Sequence, residues 1–223
     1  TWSSLLDTLE QDTERGVHYK LLFLQRHGEA WHNVIKERVG DDRWKTVGVE
    51  DSYDGITLFD DSLTKDGLSQ VRDLSTKWVE EIEKGAPLPR SHYISPLQRT
   101  LHTHELTWGP SQSGLIVESL RERYGVYTCY ERHNKSWIRD NYPNLEFEDG
   151  FREFDDLWES DRREPKWHVD SRVEHFLNGL FNNDESTVIS VTSHAKFIKR
   201  LLKYLKHPSY KLQPGQMLPI VIK

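Results

Sequence analysis

The stretch LLFLQRHGEAWHN, residues 21–33, decides how the rest of the chain is read. Its first half, within Lys20 to Gln25, is a short apolar run of the length and composition of a buried strand. The run stops at Arg26, His27 and Gly28, with His32 and Asn33 following. A strand needs no such ending, but a ligand site does. In sheets of parallel strands, ligands collect beyond the carboxyl ends, where helix N-termini present unpaired N–H groups. A glycine after His27 would let backbone N–H groups approach an anion closely.

Working outward, three more runs read as buried strands: Ser91 to Ser95, Leu115 to Val117 and Thr187 to Thr192. Helical spacing fills Gly67 to Glu83, Pro96 to Trp108, Ser171 to Phe181 and His194 to Leu205. Strands alternating with helices predict an α/β fold: a three-layer sandwich with a mostly parallel central sheet and helices on both faces. Two regions break the alternation. Residues 34–62 are polar, with Gly40, Gly48 and Gly55 expected to prevent any long helix, and residues 123–168 are crowded with aromatic and charged side chains. Both read as insertions forming a cap over one end of the sheet within a single domain spanning 1–223. The aromatic residues of the second insertion would either wall a pocket or form a small satellite core.

Composition narrows the function. The net charge of −6 argues against a nucleic-acid surface, so any anion site must be built locally from a few cations. No apolar run approaches a membrane span, and TWSSLLDTLEQDTERG lacks the basic start and apolar centre of a signal peptide. Cys129 is the single cysteine, which favours a reducing compartment. The expectation is a cytoplasmic protein without membrane or nucleic-acid partners.

The residues directly after the strands are Arg26-His27-Gly28-Glu29, Pro96-Leu97-Gln98-Arg99-Thr100, Ser119-Leu120-Arg121-Glu122-Arg123 and Ser193-His194-Ala195. Each strand end thus places ionisable side chains at one edge of the sheet. With these pieces in order, the chain resembles the histidine phosphatase superfamily, the phosphoglycerate mutase-like proteins. Leu24 to Glu29 resembles its RHG signature, and Asp61 to Gln70 its D-x-x-L-T-x-x-G-x-x-Q segment. Ser95 to Thr100 resembles its S-P-L-x-R-T segment, and Val191 to His194 its second-histidine strand. The middle of the chain, Arg121 to Cys129 followed by Phe151 to Trp158, is most similar to the fungal phosphomutase-like proteins.

The resemblance implies phosphoryl transfer through a phosphohistidine, with His27 as nucleophile, His194 completing the clamp and Glu122 as general acid and base. Arg26 and Arg99 suit the phosphoryl oxygens, because a guanidinium fork makes paired charge-assisted hydrogen bonds. Asn33 is expected to reach the phosphate by resemblance, and Trp31 and His32 to shape the substrate side. The positions of His27 and His32 do not favour a metal pair on one helix face. No metal or cofactor is required. The favoured reading is a phosphatase acting on a small phosphorylated metabolite. The alternatives are a phosphomutase and a non-hydrolytic or inactive member that uses the anion pocket for binding. Arg132, Lys135 and Arg139 mixed with the acidic run Glu146 to Glu159 do not make the basic pocket a bisphosphate would need, which favours hydrolysis.

Overall fold

In the computed structural model, which describes residues 1–223, strand β1 (Lys20–Arg26) buries every side chain except that of Arg26. It can do so because helices cover both faces of its sheet, so an uninterrupted apolar run suits it better than an alternating one. The remaining strands are β2 (Ser52–Tyr53), β3 (Ile56–Thr57), β4 (Ser91–Ile94), β5 (Gly114–Ile116), β6 (Leu145–Phe147), β7 (Val188–Ser193) and β8 (Met217–Ile222). Six of them form one sheet in the order β6-β5-β4-β7-β1-β8, while β2 and β3 make a separate hairpin. Within the sheet only β8 runs antiparallel, beside β1.

The helices are α1 (Trp2–Glu14), α2 (Trp31–Val47), α3 (Lys65–Glu83), α4 (Gln98–Trp108), α5 (Lys135–Asn141), α6 (Lys166–Asn183) and α7 (Ala195–Tyr204). On one face, α6 and α7 bring Val173, Phe176, Leu177, Phe197 and Leu201 against Leu22, Leu24, Ile189 and Val191 of the sheet. On the other, Trp78 of α3 and Trp2 of α1 pack with Leu21 and Phe23. The predicted three-layer sandwich is therefore observed. None of the helices is long and apolar enough to cross a membrane.

The four predicted strands and four predicted helices are all present, but three helices and two strands of the main sheet join them. Residues 31–47 form α2 as two short helical segments on either side of Gly40. That glycine, at φ 79° and ψ 165°, leaves the helical backbone, so the expectation that glycines prevent a long helix here holds. Ile35 of the first segment and Trp44 and Val47 of the second pack into one cluster with Leu58, Tyr124, Cys129 and Tyr130, which holds the two segments together. This cluster joins residues of both proposed insertions. Most of the aromatic side chains of residues 123–168 thus fill satellite cores, including that of Ile138, Tyr142, Leu145 and Phe151, while Phe154 and Trp167 are exposed.

One close approach fixes the entry to α3. Thr64 caps the helix by accepting from the Gly67 N–H, and its hydroxyl donates to Glu29 Oε1 at 2.7 Å. A Cβ on Gly67 would lie 2.0 Å from the Glu29 carbonyl oxygen, and one on Gly28 would lie 2.6 Å from the Gly67 carbonyl oxygen. The loop after β1 and the start of α3 therefore touch backbone to backbone. Gly67→Ala should cost about 2 kcal/mol or more by forcing them apart. Urea denaturation measures this, and a loss below about 0.5 kcal/mol would show that the approach is not constraining.

Candidate active site

The ends of β1, β4 and β7 lie side by side, because β7 sits between the other two. His27 directly follows β1, Ser95 follows β4 and His194 follows β7. Register alone thus gathers residues that are far apart in sequence. The His27 and His194 rings lie 5.1 Å apart, and the ring of His32, from the first turn of α2, lies 6.0 Å from His27. His27 does not share a helix with His32, since α2 begins only at Trp31.

His27 Nδ1 lies 2.6 Å from the Gly28 carbonyl oxygen. A carbonyl only accepts, so Nδ1 carries the proton and Nε2 keeps its lone pair. Burial pushes the His27 pKa well below the ordinary histidine value, and the cations Arg99 and Arg26 push in the same direction, with His32 adding to them. The ring is neutral with Nε2 available. His194 is fully buried, with Nε2 2.7 Å from the Ser95 hydroxyl. Burial, then Arg99 and His27, hold its pKa well below the ordinary value too.

Arg99 has no exposure to solvent. Its Nη1 donates to the Cys129 carbonyl at 2.8 Å and to Asp61 Oδ1 at 3.2 Å. Nε and Nη2 of Arg99, Nε of Arg26 and Nδ1 of His194 are buried without a protein partner. Orphaned buried nitrogens are costly, so four of them on residues flanking His27 mark a place built for an oxyanion. Arg26 is anchored by donating Nη1 to the Leu212 carbonyl at 2.9 Å.

Glu122, largely buried, accepts from the Arg123 N–H at 2.8 Å and the Lys196 N–H at 3.3 Å. It does not pair with either adjacent arginine side chain. Arg121 turns inward to Asp155 and Glu118, and Arg123 donates to the Glu164 carbonyl. The Glu122 carboxylate stabilises the charge on Arg26, which places it at the same site. Its loop is clamped from behind: Ser193 and Arg172 both donate to carbonyls of residues 119–121.

Two sequence expectations change. Gly28 does not open space for an anion: its N–H donates to Thr103 Oγ1, and its missing side chain makes room for Gly67 and Val71 of α3. Asn33 uses Oδ1 to cap α2 at the Ala30 N–H and Nδ2 to donate to His32 Nε2, so it orients His32 instead of joining the orphaned donors. Sequence reasoning missed Asp61 as a site residue. This buried carboxylate accepts from the His32 backbone N–H at 2.6 Å and from His32 Nδ1 at 2.9 Å, as well as from Arg99. Its signal was its place at the head of the segment Asp61 to Gln70. No group of three or more His, Cys, Asp or Glu side chains is disposed to hold a metal ion.

A family profile described as "Histidine phosphatase superfamily (branch 1)" matches residues 22–216. "Probable phosphoglycerate mutase" of Arthroderma benhamiae is 34% identical over 97% of this chain and 67% of its own. "Phosphomutase-like protein 3" of Candida albicans is 37% identical over 91% of this chain and 65% of its own. The chain thus spans about two thirds of the length of these relatives. Among solved structures, the alpha-ribazole phosphatase from Shigella flexneri superimposes with a TM-score of 0.56 at 20% identity, covering 89% of each chain. Bacillus stearothermophilus YhfR gives 0.56 at 21% identity, covering 92% of this chain and 91% of its own. At such identity the structures show a shared fold.

Removing the Asp61 carboxylate leaves Arg99 Nη1 and His32 Nδ1 short of an acceptor. Asp61→Ala should therefore destabilise the fold by about 3 kcal/mol in urea denaturation, and Asp61→Asn by less. Equal stability of Asp61→Ala and the parent would mean that the buried arginine does not depend on this pair.

Proposed function

The chain belongs to the histidine phosphatase superfamily, and from that membership we propose that it is a phosphatase that hydrolyses a small phosphorylated metabolite through a phosphohistidine at His27. The observation that carries this reading is the tautomer of His27. The Gly28 carbonyl holds the proton on Nδ1, leaving the Nε2 lone pair free, while three guanidinium nitrogens of Arg26 and Arg99 and Nδ1 of His194 are buried without a protein partner.

In the first displacement, His27 Nε2 forms a bond to phosphorus as the bond to the leaving oxygen breaks, and that oxygen takes a proton from Glu122. In the second, water attacks the phosphohistidine, Glu122 accepts its proton, and the P–N bond breaks to regenerate neutral His27. Arg99 and Arg26 meet the charge on the non-bridging oxygens. His194 donates from Nδ1 while its Nε2 accepts from Ser95. One aimed donor of this kind contributes roughly 3 kcal/mol to lowering the barrier. Asn33 acts through His32, whose ring faces His27.

The phosphomutase alternative draws on the names of the curated relatives. The two readings separate on the fate of the phosphoryl group: release to water as inorganic phosphate, or return to a substrate hydroxyl.

The protein should release phosphate from p-nitrophenyl phosphate, and His27→Ala should abolish that release; full turnover by the variant would sink the nucleophile. Glu122→Gln should slow alkyl phosphates by about 100-fold and p-nitrophenyl phosphate far less, since only poor leaving groups need the proton. Equal slowing of both would argue against a general acid at this position.

The pH profile supplies a further check. His27 reacts as the neutral ring, and its pKa lies below the ordinary 6.5, so activity persists as pH falls through that value and is lost only further down. The acidic limb of kcat/KM, corrected for ionisation of the substrate, should therefore lie below 6.5. A limb at or above that value would contradict a buried neutral nucleophile.

A further inference from the structure

Every backbone polar group from His27 to Glu29 has a partner, and the partners come from separate parts of the chain. His27 donates its N–H to the Ser193 carbonyl at 3.1 Å, and its carbonyl accepts from the Gly215 N–H at 3.0 Å. The Gly28 N–H goes to Thr103 Oγ1, and the Gly28 carbonyl lies 2.6 Å from His27 Nδ1. The Glu29 carbonyl accepts from the Thr64 N–H at 2.9 Å. The last group, the Glu29 N–H, donates to Gln70 Oε1 at 2.9 Å. Gln70 therefore grips the one peptide unit, Gly28 C=O to Glu29 N–H, whose oxygen fixes the proton of His27.

The segment Asp61 to Gln70 spaces Thr64, Gly67 and Gln70 three residues apart, so they share one face at the start of α3. Thr64 is the N-cap, Gly67 lets the backbone close on Glu29, and Gln70, almost one turn further, meets the N–H of that same residue. An amide nitrogen cannot accept from an N–H, so the oxygen of Gln70 faces Glu29. Gln70 is wedged from the other side as well. A Cβ on Gly215 would lie 2.8 Å from Gln70 Cβ, and Gly215 is the residue that holds the His27 carbonyl. An acceptor at the N–H of a peptide polarises the unit and strengthens its carbonyl as an acceptor, as along any chain of hydrogen bonds.

We propose that Gln70 is a positioning residue for the reaction: by holding the Gly28–Glu29 peptide it keeps the His27 proton on Nδ1 and the attacking lone pair on Nε2. It acts through the peptide and touches no reacting atom. The other neutral tautomer would turn an N–H, in place of a lone pair, toward the phosphoryl group. Such a ring still binds an anion but cannot attack phosphorus, so losing Gln70 lowers kcat and leaves KM nearly unchanged. This inference rests on the reading of His27 as the nucleophile.

The test is the long-range proton–nitrogen NMR spectrum of protein carrying isotopically labelled histidine, recorded above the ordinary histidine pKa of 6.5 and with His27 assigned by its loss in His27→Ala. The parent should show His27 with a protonated Nδ1 and an unprotonated Nε2. In Gln70→Met, similar in shape but without the amide oxygen, the Nε2-protonated ring should appear. There kcat for p-nitrophenyl phosphate should fall about fivefold with KM within about twofold. Gln70→Ala, which adds no atoms, should behave alike and serves if Gln70→Met does not fold. Gln70→Glu keeps an acceptor at this place and should keep the parent tautomer. Thr103→Val removes the acceptor of the Gly28 N–H, on the neighbouring peptide, and should keep it too. Three results would overturn the role of Gln70: a single Nδ1-protonated His27 in both Gln70→Met and Gln70→Ala, an equal mixture of tautomers in Gln70→Glu, or the same mixture in Thr103→Val. Each of these leaves His27 as the nucleophile. Full turnover by His27→Ala would instead remove the phosphohistidine reading, and this inference with it.

Discussion

A guanidinium group with no access to solvent must be held by acceptors, and Arg99 imposes that constraint on the whole site. Asp61 and the Cys129 carbonyl satisfy only Nη1. The partners come from different parts of the chain: Arg99 begins α4, Asp61 precedes α3, and Cys129 lies in the segment packed under α2. Holding one cation thus ties the sheet edge to the cap. The nitrogens left over, Nε and Nη2, are buried and aimed by the same anchoring. Their orientation costs nothing further when an anion arrives, which is the condition for electrostatic preorganisation.

The same principle recurs around Glu122. Arg121 is fully buried and is balanced by Asp155 and Glu118, and Arg172 is balanced by Glu164. By drawing its arginine neighbour at 121 inward, the structure frees Glu122 from an ordinary ion pair. The carboxylate is then held only by backbone N–H groups. Burial also decides the histidines: desolvation and nearby arginines favour neutral rings at His27 and His194, the state that the proposed nucleophile and donor require.

Much of this was legible along the chain. The runs at Lys20, Ser91, Leu115 and Thr187 announced four strands because they are covered on both sides and so read as plain apolar blocks. The short strand β6 and the edge strand β8 carried weaker signals. β6 has three residues, and Pro219 interrupts β8, where an edge position tolerates the missing N–H. The break within α2 was legible at Gly40, whereas the short helical segments on either side of it were not. His27, Glu122, His194, Arg26 and Arg99 were named from strand ends and motif. The roles of Gly28 and Asn33 were misplaced because close backbone packing and side-chain capping leave no spacing pattern.

The sequence by itself determined the alternation of strands and helices, and with it the edge at which chemistry-bearing residues gather. That follows from local rules: a buried run makes a strand, and a parallel sheet opens its ligand end beyond the carboxyl termini. Only the tertiary structure decided which nitrogen of His27 bears a proton, which arginine nitrogens stay unpaired, and which peptide Gln70 grips. Each depends on partners far away in sequence or on backbone geometry. Gln70 meets the Glu29 N–H because the folded chain closes the start of α3 on the loop after β1.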